Sequence, residues 1–392
     1  MPFRTRYVDR VVVKGWTRRL RRSGACGRFR RRYTEGASKK GGIMADPYAR
    51  WWCRTGEKTS GFHYLDARGK PITSSAALAR IAALGIPPAW TGVRISPGAS
   101  TKLQAFGFDK KGRKQYRYHP DWTQQQAAAK FHRLEAFAQR LPHFRAVTSE
   151  HLARPEFCRE KVLALVSRLM SEGRFRVGGD RYARENQSFG LSTLRREHLA
   201  ISEACLTFAY RGKHGVAQTQ VVCDVGLAKL MRELAELPGA RLFKVPSEEG
   251  PPVPVTSRDI NAYIKTIMGP DFSSKDFRTW AGTLLAARIL ASYGPCANER
   301  ETKRTLVRCT EDVAKALGNT PAIARSSYIA PVVFDCYRRG ITLPSLAPSP
   351  SQRLTLRQQG YTLEEIELMR MLSIDHAPRR EARRDSALPC LA

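Results

Sequence analysis

The chain has 392 residues, enough for about two domains plus tails, and its 67 Lys and Arg against 35 Asp and Glu give a formal net charge of +32. The length excludes a peptide-sized binder, and the charge points to a polyanionic partner, nucleic acid first. No run approaches the ~18 apolar residues of a membrane-spanning helix, and the N-terminus lacks the apolar core of a secretory signal, so a soluble intracellular protein is expected.

Residues 1–44 carry fourteen Lys or Arg against Asp9 and Glu35, which predicts a basic, disordered leader. An Arg-rich organellar presequence and an upstream start preceding Met44 both explain it; the second is the simpler, with a bacterial-type location at the nucleoid. Residues 45–122 predict a small strand-rich domain: GFHYLD (61–66), WTGVRIS (90–96) and RKQYRYH (113–119) are separated by turn signals, and one short helix, SAALARIAALG (75–85), interrupts them. From 123 to 345 the pattern becomes helical, as in QQQAAAKFHRLEAFAQRL and KVLALVSRLM, where Val162, Leu163, Val166, Leu169 and Met170 recur at helical spacing. The exception is CLTFAYRGKHGVAQTQVVCD (205–224), which reads as a hairpin with Lys213 at its tip. Residues 346–392 read as a Pro- and Ser-rich tail with a short helix near 362–373 and a basic end. The fold class expected is α+β. Nine cysteines, with no CxxC pair and no His at zinc-ligand spacing, suit a reducing compartment.

The segment GNTPAIARSSY (318–328) poses the functional question. A helix ends at Leu317, Gly318 lies just past it, and Thr320-Pro321 opens another, so Tyr328 lies about two turns into a new helix. Taken alone, such a tyrosine packs in a core. Other residues able to act on a phosphate are Arg176 in RVGGDRYARENQSFGLSTL, Lys213 in YRGKHG, Lys275 and Arg278 in SSKDFRTWAGTLLAA, and Asn319. Each has a bland explanation: a surface ion pair for an arginine, solvation for a hairpin lysine, an amide cap for Asn319.

Together these segments resemble the catalytic boxes of type IB DNA topoisomerases, specifically the small poxvirus-like branch found in bacteria. LGIPPAWTGVRISP and LQAFGFDKKGRKQYRYHPDW resemble the N-terminal domain of that branch, and the likeness runs in order over residues 60 to 340. The resemblance implies Tyr328 as nucleophile, Arg176 and Arg278 as phosphate clamps, Lys213 as general acid and Lys275 as a further basic residue at the scissile phosphate. Asn319 falls where poxvirus enzymes have a histidine; an amide donor survives that exchange and a titratable group does not. The implied activity is relaxation of supercoiled duplex DNA by a monomer through a 3′-phosphotyrosyl link.

The chemistry agrees with that implication. Attack on a phosphodiester builds charge on non-bridging oxygens, which two guanidinium groups can grip with paired donors. A phenol is ordinarily protonated at neutral pH, so nearby cations must favour its ionisation. The leaving 5′-oxygen needs a proton, a task suited to Lys213. A phosphotyrosine bond retains the energy of the diester, so resealing needs no ATP, and there is no GxxxxGK[ST] loop and no acidic metal cluster; no cofactor is expected. In the N-terminal domain Lys114, Tyr116, Arg117, Tyr118 and His119 alternate along a strand, which predicts an aromatic face and a cationic face for DNA in a two-domain clamp; a half-buried strand explains the same pattern. Two rivals remain. A tyrosine recombinase shares the Arg, Lys, Arg, Tyr order but usually has His-x-x-Arg where this chain has Lys275-Asp-Phe-Arg278. A non-enzymatic DNA-coating protein explains the charge and not the ordered boxes.

Overall fold

The computed structural model describes residues 46–376, which fall into two units meeting between Tyr118 and His119. The leader expected at 1–44 and the basic end beyond 376 lie outside the described residues. In the first unit β1 (Trp52–Glu57), β2 (Gly61–Leu65), β3 (Thr91–Ile95), β4 (Leu103–Phe108) and β5 (Lys114–Tyr118) form an antiparallel sheet in the order β2-β1-β3-β4-β5. Helix α1 (Ser75–Ala83) starts where the Ser74 hydroxyl accepts the Ala77 N–H. It buries Ile81 with Val93, Ile95 and Ala105, and Trp52, Tyr64 and Trp90 close the edges of this small core. Arg80 ties the helix to the sheet, donating to Gln104 Oε1 at 2.7 Å and to the Ser96 carbonyl at 2.6 Å.

The second unit is mostly helical. Helix α2 (Pro120–Leu152) begins at His119, whose Nδ1 accepts the Asp121 N–H at 3.2 Å, with Pro120 at the first helical position. The boundary therefore precedes residue 122, because His119-Pro120-Asp121 is a helix start and not the end of a strand. Helices α3 (Arg159–Gly173) and α4 (Asp180–Asn186) follow, then the sheet β6 (Leu199–Ile201), β7 (Cys205–Arg211) and β8 (Ala217–Cys223), joined in that order. The chain continues through α5 (Val225–Glu236), α6 (Ser257–Met268), α7 (Ser274–Tyr293), α8 (Glu299–Leu317), α9 (Pro321–Tyr328) and α10 (Pro331–Arg338).

Helix α7 lies at the centre. It buries Phe277, Arg278, Thr279, Trp280, Thr283, Ala286 and Leu290, and the rings of Phe137 and Phe144 from α2 each lie 4.9 Å from Phe277. Helix α8 is amphipathic instead, burying Leu306, Cys309, Thr310, Val313 and Leu317 on one stripe.

Residues 346–376, read from sequence as a tail with a short helix near 362–373, hold that helix as α12 (Leu363–His376) and a second one before it, α11 (Pro350–Gln358). Ile366, Leu368, Met371 and Leu372 of α12 are buried, and Glu365 accepts two hydrogen bonds from Arg145 of α2 at 2.7 and 2.9 Å. Burial alone would push the Glu365 carboxyl up; the Arg145 guanidinium holds it below the ordinary glutamate value. Cys205 and Cys223 are register partners at the open end of the hairpin and are disulfide-bonded, their Cα atoms 4.0 Å apart. Cross-strand pairing joins them where no CxxC spacing signals it, which corrects the reading of an unpatterned cysteine set.

Candidate active site

Tyr328 is placed by a sequence of tight turns. Helix α8 ends at Gly318, which is left-handed (φ +59°), and a Cβ there would come within 2.2 Å of the Gln218 amide of β8. Only glycine satisfies both demands. The next residue, Asn319, returns its N–H to the Ala314 carbonyl at 2.8 Å, Thr320 caps α9, and Pro321 occupies its first position. Tyr328 is the last residue of α9 and is half-buried. Its backbone lies directly on α7: a Cβ on Gly282 would meet the Tyr328 carbonyl oxygen at 2.7 Å, and Thr283 Oγ1 donates to that same oxygen at 3.1 Å.

Two arginines converge there. Arg278, on α7 and only 5% exposed, donates to the Arg174 carbonyl and, at 2.8 Å, to the Leu317 carbonyl. Its guanidinium carbon lies 5.2 Å from the centre of the Tyr328 ring. Burial pushes the Arg278 guanidinium down, with Arg176 adding to the effect and Tyr328 and Tyr210 opposing it. Arg176 follows Phe175, which is fully buried, and its carbonyl accepts the Leu191 N–H at 2.8 Å. The Arg176 guanidinium donates to the Gly318 carbonyl at 2.8 Å and to Asn319 Oδ1.

That leaves two buried donors, Arg278 Nε and Asn319 Nδ2, without a protein partner. A buried donor left unmade costs about 1–3 kcal/mol, so both are open to an acceptor brought by a bound ligand. The other tyrosine near these arginines, Tyr210 on β7, is 8% exposed, and burial pushes its phenol up to about 12 against the pull of Arg278 and Arg176. Tyr210 is thus a neutral wall, and Tyr328 is the accessible phenol.

The catalytic-core model of eukaryotic DNA topoisomerase I matches residues 119–333, more than half of the chain, and the N-terminal-domain model of bacterial DNA topoisomerase IB matches residues 61–109. The chain belongs to the type IB DNA topoisomerases. It is also 31% identical, over 284 residues, to the DNA topoisomerase 1B of Acanthamoeba polyphaga mimivirus, a match covering 71% of this chain and 84% of the relative. All six catalytic candidates lie within the matched core.

The remaining candidates of this topoisomerase are held differently. Lys213 sits in the tip turn Lys213–Gly215 between β7 and β8, exposed, and it makes no hydrogen bond or ion pair among the described residues. The next residue, His214, is left-handed at φ 63°. Lys275, in the first turn of α7, is exposed as well. In the first unit Lys114, Tyr116 and Tyr118 share one face of β5, because side chains on a strand repeat every second residue. Tyr116 and Tyr118 are 43% and 47% exposed with stacked rings, and the Lys114 ammonium lies 4.0 Å from the Phe106 ring and 5.6 Å from Tyr116. One cation, Lys114, is therefore on the aromatic face. Arg117, on the other face, donates to the Gly85 carbonyl at 2.9 Å and lies over Trp90, while His119 caps α2. Both are engaged within the protein.

Sequence reasoning missed three residues at the site. Gln218 packs against Gly318, Tyr210 walls the arginines, and Lys130 of α2 donates to the Ser327 carbonyl beside Tyr328. Tyr210 opens the YRGKHG segment but reads as an ordinary strand residue, as Gln218 does, and Lys130 reads as one polar position of an amphipathic helix. No motif marks Gln218 or Lys130.

Proposed function

We propose that relaxation of supercoiled duplex DNA, the activity of the family, is carried out here through a transient covalent link between Tyr328 and the 3′-phosphate of one strand. The Tyr328 phenol releases its proton to water, its oxygen attacks phosphorus, the bond to the 5′-oxygen breaks, and that oxygen leaves with a proton from Lys213. Arg176, Arg278 and Asn319 donate to the non-bridging oxygens, where charge accumulates, and Lys275 adds positive potential at the phosphate. The free end swivels about the intact strand. The 5′-hydroxyl then attacks the phosphotyrosine, returns its proton to Lys213 and releases the tyrosine oxygen, which takes a proton back from water, so each bond broken is remade without ATP.

The observation that carries this reading is Arg278 against the Tyr328 ring, with Arg176 bonded to Asn319 in the turn that leads into α9, and with Arg278 Nε and Asn319 Nδ2 buried and without a protein acceptor. The exposed Tyr116 and Tyr118 face, with Lys114, is the proposed DNA contact of the first unit. In the same reading the enzyme works as a monomer on nucleoid DNA. Among the described residues no helix is long and apolar enough to cross a membrane.

A plasmid-relaxation assay without ATP or added magnesium tests the reading. Stepwise relaxation of single plasmids is expected. Products joined between two sites would favour a recombinase, and binding without relaxation would leave only a DNA-coating protein.

A further inference from the structure

Lys130 stands on α2, distant in sequence from every catalytic box, yet its side chain ends at the nucleophile. The ammonium donates to the carbonyl of Ser327, the residue before Tyr328, and lies 5.3 Å from the centre of the Tyr328 ring. Arg278 lies at 5.2 Å from the same centre, so the ring has two cations against it. An ordinary helix lysine extends its head into water. This one is half-buried and, among the described residues, has no ion-pair partner.

We propose that Lys130 is a positioning residue for the cleavage step, fixing the last turn of α9 and holding a positive charge against the Tyr328 ring as the attacking oxygen develops negative charge. The proposal rests on Tyr328 being the nucleophile. Two features support it. The Ser327 carbonyl belongs to the final turn of α9, where carbonyls lack helical partners, so the contact fixes the peptide that carries Tyr328. A cation near an aromatic face is worth more where water is excluded.

The charge is conditional. The groups facing Lys130 are Asp276 and Lys275 from α7 and Arg133 from its own helix, together with Ser327 and Tyr328 from α9. Asp276 is already engaged in the cap of α7, accepting from the Ser273 N–H at 2.8 Å and hydroxyl at 3.0 Å. Burial therefore dominates and pushes the Lys130 ammonium down to about 8, with Asp276 opposing and Arg133 and Lys275 adding to the fall. Below that value the charge is present at the ring, and above it the charge is lost.

The test is single-turnover cleavage of a duplex whose cut end dissociates, so that the adduct accumulates, measured for the wild type, Lys130→Met, Lys130→Arg and Tyr328→Phe from about pH 6.5 to about pH 9.5. Lys130→Met, which keeps the stem and loses the charge, should cleave about tenfold more slowly at the acid end, the size of one buried cation–aromatic contact, with duplex affinity unchanged. The ratio of wild type to Lys130→Met should then shrink toward about twofold at the alkaline end, because the wild-type lysine has become neutral there. Lys130→Arg, whose cation does not titrate, should gain on the wild type over the same range, and it decides the matter if Lys130→Met does not fold. A ratio that stays constant with pH, or a Lys130→Met that cleaves as fast as the wild type, overturns the proposal. An adduct formed by Tyr328→Phe would instead remove the nucleophile assignment beneath it.

Discussion

Arg278 and Lys213 are assigned to the same phosphodiester, yet the fold treats them in opposite ways. Arg278 is buried on the central helix, with two of its nitrogens tied to the Arg174 and Leu317 carbonyls and a third left unpaired. Lys213 is exposed at a hairpin tip with no partner among the described residues. The difference follows the two tasks. A clamp lowers the barrier only if its donors are already fixed where charge will develop, since reorganising them during reaction cancels the gain. A general acid must deliver a proton and then recover it, which a solvated lysine on a turn can do and a locked guanidinium cannot. On this proposal the nucleophile half of the site is preassembled, and the acid is presented on a separate element.

Lys213→Ala breaks the comparison on the acid side. Cleavage of ordinary DNA should slow by ~10²–10⁴-fold, whereas a substrate with sulfur in place of the bridging 5′-oxygen should be cleaved almost as fast as by the wild type, because a thiolate leaves without a proton. Equal impairment on both substrates would make Lys213 another clamp. On the clamp side, Arg176→Ala and Arg278→Ala should each lose about 10²–10³-fold in the cleavage rate on both substrates, since their donors address the non-bridging oxygens. Recovery of either variant on the sulfur substrate would assign it the proton.

Smaller changes sharpen the comparison by testing what holds the clamp. Gly318→Ala forces a side chain into the Gln218 amide from a left-handed backbone, so it should destabilise the fold by about 1–3 kcal/mol, read by thermal unfolding, and slow cleavage together with it. A Gly318→Ala protein as stable as the wild type would show that this contact does not set the loop. Smallest of all, Tyr118→Ala on the exposed β5 face should weaken duplex binding about threefold and leave cleavage of bound DNA unchanged. An unchanged binding isotherm would remove β5 from the DNA contact.

Much of the site was legible because its local signals are strong. Gly318, Thr320 and Pro321 mark a helix end and a helix start by backbone chemistry alone, and the hairpin around Lys213 follows from two β-branched and aromatic runs about a Gly-containing turn. What escaped depends on residues far apart in the chain. The packing of α12 onto α2 stays hidden until Glu365 is seen against Arg145, and Arg117 reads as a cation free for DNA until its guanidinium is found on the Gly85 carbonyl. Lys130 meets Ser327 across almost the whole catalytic core, a contact that no local pattern announces.

The central claim, that one half-buried phenol on the preassembled half of the site attacks the strand, is tested most directly by locating the covalent bond. Wild-type protein trapped on cleaved duplex, digested and analysed by mass spectrometry, should carry a 3′-phosphoryl nucleotide on the peptide containing Tyr328, and Tyr328→Phe should bind the same duplex and give no adduct. A nucleotide attached to any other residue, or an adduct that persists in Tyr328→Phe, would contradict the account.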